Sequence, residues 1–166
     1  MNAFGRLSRL VAAGLAVFAA AVYASRFAAV LHPGDSAHLF VRYAGVAPLG
    51  APEHPLWGAL LAALSVHWWP GSSVVRANAF AWVVGVASVY AFARLVSACA
   101  FDVLRRPLAD ESRAVVPALA AGLVAGFAYA FSASALQAGA QLEFRSFHVL
   151  FACVALALAR RVSANG

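Results

Sequence analysis

The sequence has 166 residues, of which 64% are hydrophobic and only 11% are charged. An average soluble domain has roughly 25% charged residues, so this composition excludes an ordinary soluble domain and is typical of a membrane protein. The net charge of +6 comes from arginine, without any lysine. Because the arginines flank apolar segments and form no basic patch with interleaved aromatic residues, no nucleic-acid partner is predicted.

The first apolar segment, residues 10–31, is long enough to cross the hydrocarbon layer, which takes about 17 to 25 helical residues. A cleaved signal peptide is the alternative, because residues 10–22 have the length of its apolar region and Val-Tyr-Ala at 22–24 offers small residues for cleavage. The apolar residues continue beyond this point, however, and the charged head of Arg26 can reach the interface. We therefore predict an uncleaved span.

A shorter apolar segment, residues 56–69, lies within the next loop, residues 32–73. Its 14 residues are too few for a span, and Pro55 and Pro70 bound it. Tryptophan favours the headgroup level of a membrane. Three tryptophans stand at its two ends: Trp57, Trp68 and Trp69. The segment therefore predicts a helix lying along the membrane surface.

Three further spans are predicted at residues 74–100, 114–131 and 146–161. They are separated by a polar loop at 101–113 and by a moderately polar loop at 132–145. With the first span they predict an all-α polytopic membrane protein that has four transmembrane helices. Residues 1–166 then form a single membrane domain.

Small residues and cysteines mark positions inside these spans. Pro117 is expected in the first turn of the third span, where proline is tolerated. Gly122 and Gly126 have the G-x-x-x-G spacing that permits close helix contact. Cys99 and Cys153 lie near the ends of apolar segments and are interpreted as packing residues, not as a disulfide or a metal pair.

The arginines predict the orientation of the chain. If the N-terminus is cytoplasmic and residues 56–69 do not cross, most arginines fall on the cytoplasmic side, as the positive-inside rule requires. They are Arg6, Arg9, Arg94, Arg105, Arg106, Arg113, Arg160 and Arg161. Loop 101–113 is then cytoplasmic, and loops 32–73 and 132–145 share the outer face.

The first outer loop contains a candidate chemical site. Asp35, His38 and Arg42 follow a Pro-Gly pair at spacings of three and four, so they share one face of a short helix. A carboxylate, an imidazole and a guanidinium at a membrane surface could deprotonate a hydroxyl and hold a phosphate. The alternative is that Asp35 is a helix N-cap, and spacing alone favours that interpretation.

Further acids and histidines lie in the outer loops. Glu143 stands near the outer end of a span, where a carboxylate is costly unless it faces a polar cavity; pairing with Arg145 or solvation is the alternative. His54 joins His38 in the first outer loop. No His-x-x-x-His or Cys-x-x-Cys spacing connects these residues. No metal site or cofactor is therefore predicted, and a divalent cation stays open.

Two stretches resemble one known family. The first outer loop resembles that of the protein O-mannosyltransferase-like bacterial membrane proteins, which belong to the GT-C glycosyltransferase superfamily, and residues 127–161 look like the second outer loop and following span of that family. The matching positions are Gly34, Asp35, Ser36, Pro52, Pro55, Leu56, Phe131, Ser132, Ala138 and Glu143. His38 stands where the family has an acid, and Leu136 replaces a tryptophan.

The resemblance implies a function. Members of this superfamily transfer a sugar from a polyprenyl-phosphate carrier to an acceptor at the outer face of the membrane, with an acid of the first outer loop as general base. That role falls on Asp35, and Glu143 would be a second acid of the site. Arg42, assigned from its charge, is the candidate for holding the lipid phosphate, together with His38 and His54 as substrate-binding residues.

The family resemblance also implies a location and a larger assembly. The expected location is a bacterial inner membrane, with membrane lipids and a polyprenyl-phosphate sugar as partners. The proteins of the superfamily have more spans, so the chain is expected to correspond to the N-terminal part of such an enzyme and to pack with the remainder. The alternative is a small non-catalytic membrane protein that packs with a partner membrane protein through Gly122 and Gly126.

Overall fold

The computed structural model describes residues 3–26, 71–106, 111–140 and 145–165. These residues form five α-helices and no strand. The helices are α1 (Ala3–Ser25), α2 (Ser73–Arg105), α3 (Ser112–Ala130), α4 (Ala133–Ala140) and α5 (Arg145–Asn165). Four of them, all but the short α4, are long and apolar enough to cross a membrane. The prediction of an all-α polytopic membrane protein with four spanning helices is therefore confirmed. The predicted interfacial helix at residues 56–69 lies outside the described residues.

The longest helix, α2, is capped at its start and extends past the predicted end of its span. The hydroxyl of Ser72 accepts a hydrogen bond from the backbone N–H of Val75, at 3.3 Å, which satisfies one of the unpaired donors at a helix start. The helix has 33 residues, so it is about 50 Å long at 1.5 Å per residue, more than the roughly 30 Å hydrocarbon core. Its C-terminal turns therefore reach the polar side of the membrane.

The polar loop predicted at residues 101–113 is partly helical. Residues 101–105 continue α2, because the ring of Phe101 stacks on Phe4 at 4.0 Å between centroids and Asp102 forms ion pairs within the bundle. Helix α3 also begins earlier than expected, at Ser112. Pro117 consequently lies inside the helix instead of in its first turn, and the helical hydrogen bond to the carbonyl of Arg113 is lost.

The predicted outer loop at residues 132–145 contains the short helix α4. The hydroxyl of Ser132 accepts a hydrogen bond from the N–H of Ala135 at 3.2 Å, which caps this helix. The segment that follows the cap is rich in alanine, the residue with the highest helix propensity. The moderate polarity of this stretch indicated a loop, but its local propensity and its cap form a helix.

The four spanning helices α1, α2, α3 and α5 alternate in direction along the chain, so α5 runs parallel to α2. One end of the bundle, which we call the arginine end, contains the N-terminus of α1, the end of α2 at Arg105, the start of α3 at Ser112 and the C-terminus of α5. The other end, where Ser25, Ser73, Ala130 and Arg145 lie, is called the loop end. Three contacts fix this arrangement: at the arginine end Phe4 stacks on Phe101 and Arg160 pairs with Asp102, and at the loop end the hydroxyl of Tyr23 donates to the carbonyl of Ala130.

Helix α2 is the centre of the bundle and packs against each of the other four described helices. Small residues let the helices approach closely, as is usual in membranes. A Cβ atom placed on Gly122 would lie 1.8 Å from Oγ of Ser97 and 2.7 Å from the carbonyl oxygen of Ala93. Gly126 is similarly close to Leu15 and Ala93. The glycine pair is thus buried against α1 and α2 within this chain, and contact with a partner membrane protein stays a prediction.

Candidate functional site

The residues that the sequence singled out for chemistry lie outside the described residues. They are Asp35, His38, Arg42, His54 and Glu143. Their roles therefore stay predictions. Among the described residues, no group of three histidine, cysteine or acidic side chains could hold a metal ion.

The described helix ends show how the chain enters and leaves these two segments. The chain reaches residues 27–70 after Arg26 and returns from them at Gly71, next to the start of α2. It reaches residues 141–144 from α4 and returns at Arg145, the first residue of α5. The guanidinium of Arg145 donates to the hydroxyl of Ser134 at 3.3 Å, so α4 and the start of α5 are adjacent. All of these positions lie at the loop end.

A network of hydroxyl groups holds the helices together beneath the loop end. The buried hydroxyl of Tyr23 donates to the carbonyl of Ala130, at 3.0 Å. This carbonyl belongs to the last residue of α3, where no intrahelical donor is available. The hydroxyls of Ser88 and Tyr129 are 2.9 Å apart and connect α2 to α3. The loop end is therefore joined by hydrogen bonds between neutral groups from three helices.

Sequence reasoning missed this network, although a signal was present. The hydroxyls of Tyr23, Ser88 and Tyr129 lie within apolar spans, where an unpaired polar group is costly. Such groups are expected to find partners on neighbouring helices. The identity of each partner depends on how the helices pack, which the sequence pattern does not contain.

The arginine end has a cavity of about 800 Å³ between α1, α2 and α5. Its charged and hydroxyl lining comprises five arginines, one aspartate and two serines: Arg94, Arg105, Arg106, Arg160, Arg161, Asp102, Ser8 and Ser163. These arginines were interpreted from the sequence only as topology signals. The structure adds that they converge on one concave site.

Asp102 is the only acid that lines this cavity among the described residues, and it is paired twice. Its Oδ2 lies 2.5 Å from Nε of Arg160, and its Oδ1 lies 3.4 Å from Nη2 of Arg105. Glu111 approaches Arg105 at 3.8 Å, but both of these side chains are substantially exposed, so that pair is weak. Asp102 thus joins the C-terminal turns of α2 and α5.

Arg94 reaches the same cavity from deeper in α2. Its Nη1 donates to the carbonyl of Gly5 and to the hydroxyl of Ser8, both at 3.1 Å. Its Nη2 and Nε donate to no residue that the structure describes. Arg106 and Arg161 likewise form no ion pair with an acid in the described ranges.

The two cysteines are both free and differ in their surroundings. Cys153 is buried and packs between helices, as interpreted from the sequence. Cys99 is exposed and lines the arginine cavity.

Comparisons with protein-family models, with curated proteins and with solved structures find no match. The resemblance to the O-mannosyltransferase-like family therefore rests on the short motifs in the sequence.

Proposed function

We propose that this chain is a glycosyltransferase-like membrane protein that transfers a sugar from a polyprenyl-phosphate carrier to an acceptor at the outer face of the membrane. The observation that carries the proposal is the arrangement of the described helix ends. The segments that contain Asp35 and Glu143 are both connected to the loop end of one bundle. A reaction that uses one acid from each segment requires that both segments lie at the same end of the bundle.

The proposed reaction assigns a task to each residue. The carboxylate of Asp35 accepts the proton of an acceptor hydroxyl while the hydroxyl oxygen forms a bond to the anomeric carbon. The bond between that carbon and the phosphate oxygen breaks, and the lipid phosphate leaves with the bonding electrons. Arg42 would stabilise the charge on the departing phosphate, assisted by His38 and His54, and Glu143 would be the second acid.

The packing of the bundle bears on one contact that the non-catalytic alternative assigned. The alternative assigned Gly122 and Gly126 to contacts with a partner helix. Because both glycines are buried within the chain, that contact surface is already occupied.

The proposal is tested by a transfer assay in membrane vesicles. Polyprenyl-phosphate mannose and, in parallel, polyprenyl-phosphate glucose carry a label in the sugar, and endogenous membrane components serve as acceptors. We expect transfer by the wild-type chain and a decrease of about 100-fold or more in Asp35→Asn, because general-base catalysis contributes about 10²- to 10⁴-fold. Glu111→Gln, which removes an exposed acid at the opposite end, is the matched control and should transfer normally.

Two results would contradict the proposal. One is the absence of transfer by the wild-type chain with both sugar donors. The other is normal transfer by Asp35→Asn when this variant is inserted into the membrane at the wild-type level.

A further inference from the structure

We infer that the cavity at the arginine end binds a phosphate group, and that this phosphate belongs to the headgroup of an anionic membrane lipid. The inference concerns the end of the bundle opposite to the proposed transfer site. It does not rest on the proposed function, because none of the residues that carry it takes part in the transfer.

The cavity carries an excess of positive charge. Five guanidinium groups and one carboxylate line the cavity, which leaves four positive charges there among the described residues. The carboxylate of Asp102 is already shared by Arg160 and Arg105. Like charges that converge at the edge of a low-dielectric bundle repel one another, and an anion between them relieves this repulsion.

Helix dipoles do not change the sign of this charge. The C-termini of α2 and α5 lie at this end and each contributes roughly −0.5 charge, while the N-termini of α1 and α3 each contribute roughly +0.5. Their sum is about zero, so the excess of guanidinium groups decides the sign. The cavity therefore favours an anion.

The hydrogen-bond donors of the cavity are oriented before a ligand binds. The guanidinium of Arg94 is held by two hydrogen bonds through Nη1, so its orientation is fixed, while Nη2 and Nε have no partner among the described residues. The guanidinium of Arg160 is held by Asp102, to which its Nε donates. The planar fork of a guanidinium matches the oxygens of a phosphate, and a donor that is already oriented loses little entropy on binding.

An apolar surface next to the cavity indicates the origin of the phosphate. An apolar groove of about 500 Å³ lies on α2 next to the cavity, lined by Leu95, Val96, Ala100 and Leu104. The groove and the cavity share Cys99 and Val103. A phosphate at the arginines therefore has an apolar path beside it along a spanning helix. This continuity favours a phospholipid, whose acyl chain would follow the groove, over a soluble phosphate.

The test uses the purified full chain in detergent, freed of native lipid. Binding of dioleoylphosphatidylglycerol is measured by native mass spectrometry, with dioleoylphosphatidylcholine as the zwitterionic comparison. We expect at least one phosphatidylglycerol to bind with about tenfold preference over phosphatidylcholine. The double variant Arg94→Gln/Arg161→Gln should lose about tenfold or more in affinity, because charge-assisted hydrogen bonds to phosphate are removed.

A charge-matched control separates a specific site from general attraction. The double variant Arg113→Gln/Arg6→Gln removes the same net charge at the same end of the bundle, but neither residue lines the cavity. Its affinity should stay within about twofold of the wild type. If folding of the cavity variant is impaired, Arg94→Lys keeps the charge and removes the fork, and it should weaken binding by about three- to tenfold.

Competition experiments with soluble phosphates distinguish a lipid headgroup from a free phosphate as the ligand. Inorganic phosphate and glycerol 3-phosphate at millimolar concentration should leave bound phosphatidylglycerol in place. Displacement by either one would overturn the assignment to a lipid. An absence of preference for phosphatidylglycerol, an equal loss of affinity in the control variant, or wild-type binding by Arg94→Lys would overturn the site itself.

Discussion

The two ends of this helical bundle are held together by different interactions. At the loop end the contacts are between neutral groups: the hydroxyl of Tyr23 donates to the carbonyl of Ala130, and the hydroxyls of Ser88 and Tyr129 bond to each other. At the arginine end, the half-buried carboxylate of Asp102 joins two arginines. Further arginines line a cavity there and have no acidic partner among the described residues. Neutral hydrogen bonds give the loop end a fixed frame for the segments attached to it. The excess of positive charge at the arginine end instead predicts that an anion from outside the chain binds there.

A substitution between the two ends should have the largest effect on stability, because it disturbs both ends at once. Gly122→Ala should lower the free energy of unfolding by about 2–3 kcal/mol, because overpacking in a tight helix contact has this cost. The new methyl group would lie 2.7 Å from the carbonyl of Ala93 and closer still to the hydroxyl of Ser97. Both ends should be loosened together, since α3 connects them. Thermal unfolding in detergent, followed by circular dichroism, measures this change.

The matched control for this variant is Gly14→Ala. Among the described residues, no atom beyond the local helix lies within 4 Å of a Cβ at Gly14, and alanine is the better helix former. The unfolding free energy should be unchanged or raised by up to about 1 kcal/mol. Equal effects of the two substitutions would show that Gly122 is not in a close contact.

The ion pair at the arginine end gives a smaller effect. Asp102→Asn should lower the unfolding free energy by about 1–2 kcal/mol, less than for a fully buried pair because the Asp102 side chain is 26% exposed. It leaves Arg160 and Arg105 without their shared carboxylate. Chemical unfolding in detergent measures the loss, and Glu111→Gln should change stability by less than about 0.5 kcal/mol. A stability of Asp102→Asn equal to that of the wild type would remove the pair as a link between α2 and α5.

The hydrogen bond at the loop end gives the smallest effect. Tyr23→Phe should lower the unfolding free energy by about 1 kcal/mol, because the carbonyl of Ala130 loses its donor while the ring stays packed. High salt should leave this loss unchanged, whereas the effect of Asp102→Asn should shrink in salt. Tyr90→Phe is the control, since the hydroxyl of Tyr90 forms no hydrogen bond with the described residues. A salt-dependent effect at Tyr23 would contradict the distinction between the two ends.

Much of the fold could be predicted from the sequence because membrane insertion depends on the length and polarity of local segments. Residues 74–100 and 114–131 are apolar for long enough to span, and each lies largely within an observed helix. The continuation of α2 through Asp102 was missed, because a charged residue inside a helix is indistinguishable from a loop residue until its partner is known. Arg160, which is that partner, is 58 residues away.

The arginine cavity was missed for a related reason. Counting charges along the chain predicts the side of the membrane on which they lie. It does not predict that Arg94 and Arg161, on different helices, line one cavity. The candidate acids Asp35 and Glu143 were identified by motif. Their proximity remains a prediction, based on the connection of both segments to helices that end at the loop end.

The sidedness of the two ends tests the account most directly. Single cysteines are introduced as Ser36→Cys, Gln141→Cys and Leu108→Cys in a Cys99→Ser/Cys153→Ala background and treated with a membrane-impermeant maleimide in sealed right-side-out vesicles. The account predicts that positions 36 and 141 are labelled in intact vesicles and that position 108 is labelled only after the vesicles are opened. Labelling of 36 and 141 from opposite sides, or of 108 together with them, would contradict it.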